Sequence, residues 1–324
     1  MPTRRDLVLG AGAIGAATAA GLLGADAVAA GEARTPVSFD VPHGACDCHV
    51  HVFPDTTRFP SWDGRAYTPP VATADDLLAL QRALRLDRVV VVQPSVYGTD
   101  NRATLDGMRQ LGPQRARGVA VIDARTTGAQ LDEMHQAGIR GVRVNLETAG
   151  VVDPAASGRR LQEAVRQVAG RGWHVQTYTR LPVIEALKDQ LAAMPVPLVV
   201  DHFGGARGEL GVQQPGFAAL VDLVRSGKAY VKVSGAYRSS SRGPDFGDVA
   251  PLAQALIQAN PDRVVWGTDW PHPDSSGRRP AREISPAIDI DDGLLLNQLA
   301  AWAPDAAVRR KILVDNPARL YGFG

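Results

Sequence analysis

The stretch ACDCHVHV, residues 45–52, opens the series of short apolar runs that decides the fold of this 324-residue chain. Several runs are nearly continuous in β-branched residues, which is typical of parallel strands buried on both faces. Successive side chains of a strand point to opposite faces, so His49 and His51 are expected to share one face. The eight predicted strands span 45–52, 87–94, 117–123, 139–145, 172–178, 197–203, 229–235 and 262–269.

Helical patterns lie between these runs. Thr73 is a candidate N-cap for a helix in TADDLLALQRALR, with two aspartates in its first turn. Further predicted helices, from apolar residues three and four apart, are 157–172, 181–194, 215–227 and 248–261, with a helical tail over 294–324 that ends at a proline. Strand–helix repeats without a break in composition predict one α/β domain over residues 44–324, a (β/α)8 TIM barrel. A doubly wound open sheet is the alternative, but no Gly-rich nucleotide fingerprint follows the first strand.

Net charge and cysteine content limit the kinds of partner and metal site that the chain can have. The formal net charge is +1, so no long-range field favours nucleic acid or an anionic membrane. The two cysteines, Cys46 and Cys48, form a C-x-C pair that cannot complete a thiolate zinc site and is expected to be buried and inert.

The N-terminus has the features of an export signal. A twin arginine, Arg4 and Arg5, precedes a Gly/Ala-rich apolar run and a small-residue cleavage site near Ala29 or Ala30. We therefore expect a Tat-type signal over residues 1–30, an N-terminal segment over 31–43, an exported or periplasmic protein, and no stable membrane association after signal removal. A membrane anchor is the alternative, although a spanning helix needs roughly 20 strongly apolar residues.

Polar residues gather at the carboxyl ends of the predicted strands, the pole at which such barrels carry their catalytic groups. A buried polar group without a partner costs about 1–3 kcal/mol, so polar groups at six strand ends of one pole indicate a site rather than packing. Besides the two histidines of the first strand, these residues are Gln93, Ser95, Tyr97, Arg143, Asn145, Gln176, Tyr178, Asp201, His202, Asp269 and His272.

Two chemistries fit the group formed by His49, His51, His202 and Asp269. Three imidazoles and a carboxylate could hold a single Zn²⁺ or Mn²⁺ with an open position for water. A site that needs no cofactor fits equally, with Asp269 as general base and the imidazoles polarising a carbonyl. These residue types alone leave both open.

The motifs DCHVHVF, QPSVYGTDN, VVDHFG and VVWGTDWPHP resemble the amidohydrolase superfamily over roughly residues 41 to 324. The branch that they resemble contains 2-pyrone-4,6-dicarboxylate lactonase, 4-sulfomuconolactone hydrolase and sugar-acid lactonases. The resemblance implies hydrolysis of a small anionic lactone, with Asp269 as the base towards water. It also implies that His49, His51 and His202 either bind a metal or orient the lactone carbonyl.

The same resemblance implies a set of substrate-binding residues: Ser95, Tyr97, Arg143, Tyr178 and His272. Arg242 or its neighbour Arg238 could add an anion clamp after the seventh strand, because a guanidinium binds a carboxylate or sulfonate bidentately. The extra arginines expected after the fourth strand and beside DHFG are absent, although Arg207 is near. That departure weakens a pyrone-dicarboxylate substrate and leaves a muconolactone or a sugar lactone open.

Two other functions remain open at this point. One is a metal-dependent decarboxylase or hydratase of a muconate-like acid, because the same branch includes decarboxylases with H-x-H and a late aspartate. The other is a periplasmic solute-binding protein that keeps the pocket without turnover. The oligomeric state, a homo-oligomer included, is not fixed by the sequence.

Overall fold

The computed structural model describes residues 32–276 and 278–324. Eight parallel strands form one sheet in chain order. Its two ends also meet, because the backbone N–H of His51 donates to Trp270 O at 2.8 Å and that of Asp269 donates to His49 O at 2.9 Å. The result is a nearly closed barrel of the TIM type, which excludes the open sheet. The strands are β1 Cys46–Val50, β2 Arg88–Val92, β3 Ala116–Ala120, β4 Ile139–Asn145, β5 His174–Tyr178, β6 Leu198–Val200, β7 Ala229–Ser234 and β8 Val264–Gly267.

Helices alternate with the strands. Thr73 caps α1 as predicted, and Asp76 completes a capping box with it. The tail differs from its prediction: Pro317 lies in the first turn of α12, where its missing N–H costs little, rather than at a helix end. The helices are α1 Ala74–Leu84, α2 Arg102–Leu111, α3 Gly128–Gln136, α4 Pro154–Val168, α5 Leu181–Ala186, α6 Lys188–Ala192, α7 Phe217–Arg225, α8 Ala236–Ser239, α9 Ala250–Ala259, α10 Asp292–Trp302, α11 Ala306–Arg310 and α12 Asn316–Tyr321.

The first strand carries one extra residue relative to its neighbour. Asp47 pairs with Val89, but it is Val50, not His49, that pairs with Val91. Such a bulge breaks the alternation of side chains along the strand. Cys46 and Cys48 therefore lie in the barrel interior as free, buried thiols. His49 and His51, which follow them, are buried in the interior as well.

The end of the barrel opposite the polar strand ends is closed by the C-terminal plug, residues 316–324. Phe323 packs against two guanidinium groups, with Arg117 at 4.7 Å and Arg88 at 5.2 Å from its ring centre. Arg117 also donates a hydrogen bond to the carbonyl of Gly322 at 3.0 Å. The polar pole is thus the end of the barrel that can receive a ligand.

The segment that follows the predicted signal lies against α10. Thr35 donates its hydroxyl to Asp291 at 2.6 Å, and the backbone of Ser38 donates to Asn297 at 2.7 Å. The predicted export signal, residues 1–30, lies outside the described residues. Within the described chain, no helix is both long and apolar enough to cross a bilayer.

Candidate active site

Asp269 follows β8 at the polar pole and is fully buried. Its backbone has a positive φ of 68°, so the chain turns sharply as it leaves the strand and presents the carboxylate to the barrel axis. Oδ2 accepts hydrogen bonds from Tyr237 Oη at 2.6 Å and from Arg238 Nε. Oδ1 accepts none from the described residues. One carboxylate oxygen is therefore held in place and the other is free for a ligand.

Three imidazoles face that free oxygen. Asp269 Oδ1 lies 3.7 Å from His49 Nε2, 3.7 Å from His51 Nε2 and 3.9 Å from His202 Nε2. The structure thus brings together the four residues that the sequence predicts as the catalytic group. His202 lies just after β6. Its positive φ of 49° is not an extended conformation, so the strand ends earlier than predicted.

Each of the outer two imidazoles is fixed through its other nitrogen. His51 Nδ1 lies 2.7 Å from the carbonyl of Val92, and His202 Nδ1 lies 2.9 Å from Ser234 Oγ. Burial lowers the pKa of His51 to about 3 and the pKa of His202 to about 4. Both rings are therefore neutral at neutral pH.

The carboxylate is ionised. Burial alone would raise the pKa of Asp269, but the charge of Arg238 and the neighbouring imidazoles hold that pKa well below its usual range. A neutral cluster of imidazoles around one anion can accept a proton from water or surround a cation.

An ionic network, fully buried apart from Arg143, lies beneath this cluster. Asp201 Oδ2 accepts hydrogen bonds from Arg143 Nε at 3.1 Å and Gln176 Nε2 at 3.0 Å. Lys232 Nζ lies 3.5 Å from Asp201 Oδ1 and 3.3 Å from His49 Nδ1. Lys232 was not predicted from the sequence; the available signal is a lysine alternating with valines in AYVKVS, on the face of β7 that also carries Ser234.

A cavity of about 860 Å³ opens beside the ends of β2 to β4 and is lined by Ser95, Tyr97 and Arg143. Arg143 uses its Nε on Asp201, whereas its terminal nitrogens have no hydrogen-bond partner among the described residues. Trp62, 55% exposed, forms part of the same wall. This cavity therefore combines an available guanidinium edge with aromatic surface.

A second cavity of about 620 Å³ lies beside the ends of β5 to β7 and is lined by Tyr178, Tyr237 and Arg238. Tyr178 connects it to the cluster, because its ring meets His202 edge-on with the centres 4.9 Å apart. The other arginines of this cavity are neutralised, Arg180 by Glu147 and Arg207 by Glu209.

Two predicted substrate-binding residues lie apart from the cavities. His272 is fully buried behind Tyr237, with its Nε2 3.0 Å from Asp292 Oδ1. The Arg242 side chain is 70% exposed and faces Asp248 at 3.9 Å. Of the two arginines considered for a clamp after β7, it is Arg238 that reaches the cluster.

The residue types of the cluster suit a divalent cation. Ligand atoms of His49, His51 and Asp269 all lie within 4.8 Å of one another, and a second group joins His49, Asp201 and His202. Imidazole nitrogens with one carboxylate oxygen are the donor set of catalytic zinc sites. An imidazole ligates only through a nitrogen that carries no proton, so the fit also depends on the tautomer of each ring.

Comparison with known proteins identifies the class to which this barrel and site belong. The profile of the amidohydrolase family matches residues 46–323, and the chain belongs to that family. A 4-sulfomuconolactone hydrolase of Rhizobium radiobacter is 38% identical, over 89% of this chain and 93% of that protein. A 2-pyrone-4,6-dicarboxylate hydrolase of Comamonas testosteroni is also 38% identical, over 87% and 92%. The crystal structure of a Pseudomonas putida protein superposes with a TM-score of 0.73 at 33% identity, covering 87% of this chain and 99% of that one.

Proposed function

We propose that this protein hydrolyses a small anionic lactone of the muconolactone, sulfomuconolactone or pyrone-carboxylate kind. The observation that carries the proposal is Asp269 Oδ1, which accepts no hydrogen bond from the described residues and faces three imidazole nitrogens at 3.7–3.9 Å. Arg143, which lines the larger cavity, is held by the Asp201 carboxylate beneath this cluster. Relatives at 38% identity named for hydrolysis of two such compounds support the proposal.

The proposed reaction begins with a water molecule between Asp269 and the lactone carbonyl. Asp269 Oδ1 takes a proton from the water as its oxygen attacks the carbonyl carbon. The carbonyl oxygen gains negative charge, which hydrogen-bond donors of the cluster stabilise. The ring C–O bond then breaks, the leaving oxygen recovers the proton from Asp269, and the product is the ring-opened acid.

The acid group of the substrate is proposed to bind the free edge of Arg143, with Ser95 and Tyr97 beside it. A guanidinium edge recognises a carboxylate or sulfonate through two parallel hydrogen bonds. Tyr178 and Arg238 would bound the opposite side of the ring. If a Zn²⁺ or Mn²⁺ ion is bound, His49, His51, His202 and Asp269 would hold it, and it would polarise the carbonyl as a Lewis acid.

The test is hydrolysis of a lactone panel by the purified wild type and by Asp269→Asn, with and without a chelator. We expect ring opening by the wild type and a loss of about 10²–10⁴-fold in kcat for the variant, because a positioned general base contributes that much. Asp222→Asn, an exposed aspartate on α7, is the matched control and should retain full activity.

Other outcomes would replace the proposal. Full lactonase activity in Asp269→Asn would contradict the base assignment. Release of CO2 from muconate-like acids without ring opening would favour a decarboxylase. Tight ligand binding with no product from any lactone would favour the solute-binding alternative.

A further inference from the structure

Lys232 lies in the barrel interior on β7, and its side chain is fully buried. Its Nζ donates a hydrogen bond to Gln176 Oε1 at 2.8 Å. Gln176 is oriented by the carboxylate of Asp201, which accepts from its Nε2, so the amide oxygen must face the lysine. Burial lowers the pKa of Lys232 from its usual value, and the carboxylate of Asp201, 3.5 Å away, opposes that shift and favours the ammonium form.

The remaining neighbour of the ammonium group is His49 Nδ1, at 3.3 Å. Asp201 Oδ1 is equally close to this nitrogen, at 3.3 Å, but accepts no hydrogen bond from it or from any other described residue. An ammonium group has donors and no acceptor, so the nitrogen that it contacts must act as the acceptor. With Lys232 as the donor of this contact, His49 Nδ1 carries no proton and the proton of the neutral ring is on Nε2.

That proton faces the site. His49 Nε2 has no hydrogen-bond partner among the described residues and lies 3.7 Å from Asp269 Oδ1. His51 has the opposite tautomer, because its Nδ1 contacts a carbonyl oxygen, which can only accept. The two imidazoles of the H-x-H motif thus offer different groups: a donor from His49 and a lone pair from His51.

We infer that Lys232 is a positioning residue that fixes the Nε2–H tautomer of His49, so that His49 donates to the lactone carbonyl oxygen instead of ligating a metal. A nitrogen that carries a proton has no lone pair for a cation, and metal affinity depends strongly on such outer partners of the ligands. The role in carbonyl stabilisation rests on the proposed function; the tautomer and the low metal affinity do not.

The first test reads the tautomer directly. Protein labelled with ¹⁵N-histidine is studied by long-range ¹H–¹⁵N NMR, with His49→Gln to assign the signal. We expect the Nε2–H tautomer for His49 in the wild type. In Lys232→Met we expect the Nδ1–H tautomer, because Asp201 Oδ1 then becomes the acceptor. An Nδ1–H tautomer of His49 in the wild type would overturn the inference, whether or not the variant folds.

The second test measures zinc binding by equilibrium dialysis against Zn²⁺ alone. We expect Lys232→Met to bind one Zn²⁺ about 10–100-fold more tightly than the wild type, the range typical of a change in a ligand's outer partner. Metal-free kcat should fall about 10²–10³-fold with KM little changed, as for loss of one oxyanion donor. Lys228→Met, an exposed lysine just before β7, is the matched control.

Unchanged zinc affinity in a folded Lys232→Met protein would also overturn the inference. Inactivity of the wild type towards every lactone would refute the proposed function alone, since the NMR and dialysis results do not depend on turnover.

Discussion

Arg238 has two effects on the carboxylate of Asp269. It fixes Oδ2 by a direct hydrogen bond, and its charge lowers the pKa of Asp269 against the effect of burial. The carboxylate, which is the proposed base, is therefore ionised over a wide pH range but is weakly basic while the ion pair is intact. An acid group of the substrate that attracts Arg238 would make the carboxylate a stronger base, which couples binding of an anion to catalysis.

Replacement of Arg238 tests this coupling through the pH profile. In Arg238→Met the pKa of Asp269 should rise, because the stabilising cation is gone and burial remains. The proposed reaction requires the ionised carboxylate, so the acidic limb of kcat/KM should move to higher pH by about 1–3 units. Steady-state rates measured from pH 3 to 9 locate the acidic limb of kcat/KM. Arg225→Met, an exposed arginine on α7, should leave the profile unchanged, and an identical limb in both variants would contradict the prediction.

Single residues also show what the sequence could predict about the site. His49, His51, His202 and Asp269 could be predicted to lie together, because each residue follows or ends a strand at one pole. Lys232 could not, because a lysine within a valine-rich strand has no fixed position until the strands around it close. Arg238 and Arg242 are alternatives from the sequence, because spacing alone does not tell which of two nearby arginines faces inward.

At the scale of elements, the junction between β1 and β8 positions the site. Gly267 permits the two strands to approach, since a Cβ there would lie 2.7 Å from the backbone nitrogen of His49 and 2.9 Å from its Cβ. Asp47 binds this junction together by accepting hydrogen bonds from Thr268 and from the His49 backbone. The bulge in β1 was not predictable, because regular alternation and a one-residue insertion give similar sequence patterns.

Gly267→Ala should damage this junction. The added methyl group has to displace β1, so we expect a loss of about 1–3 kcal/mol in the free energy of unfolding, as for other overpacked interiors. We also expect a lower kcat in the protein that remains folded, because His49 moves with the strand. Urea unfolding and kcat at saturating substrate measure the two effects. Gly247→Ala is the control: its position is exposed and an added Cβ meets only ordinary contacts at 3.8 Å.

For the whole molecule, the alternation of strands and helices was sufficient to predict the barrel. All eight predicted strands overlap an observed one, although β6 is only Leu198–Val200 because the chain turns into the site sooner than its hydropathy indicates. Helices α2 and α3 were missed. The buried face of α2 includes Thr104 and Gly107, which weaken its apolar pattern, and α3 buries little besides Leu131.

Export of the folded chain remains a proposal and has a direct test. The double change Arg4→Lys and Arg5→Lys keeps the charge of the N-terminus but removes the twin arginine. We expect the altered precursor to accumulate in the cytoplasm while the wild type appears in the periplasm at reduced mass. Cell fractionation with immunoblotting measures this. Equal periplasmic amounts of both proteins would contradict a Tat-type route.

The position of the C-terminal plug has a consequence for the order of assembly. Phe323 follows all eight strands in the chain, yet it packs against Arg88 and Arg117 from the second and third strands. The inner surface of the early strands can therefore be sealed only once the C-terminal plug, residues 316–324, has been synthesised. Pairing of the eight strands alone does not complete this barrel, whose folding ends with the docking of the plug.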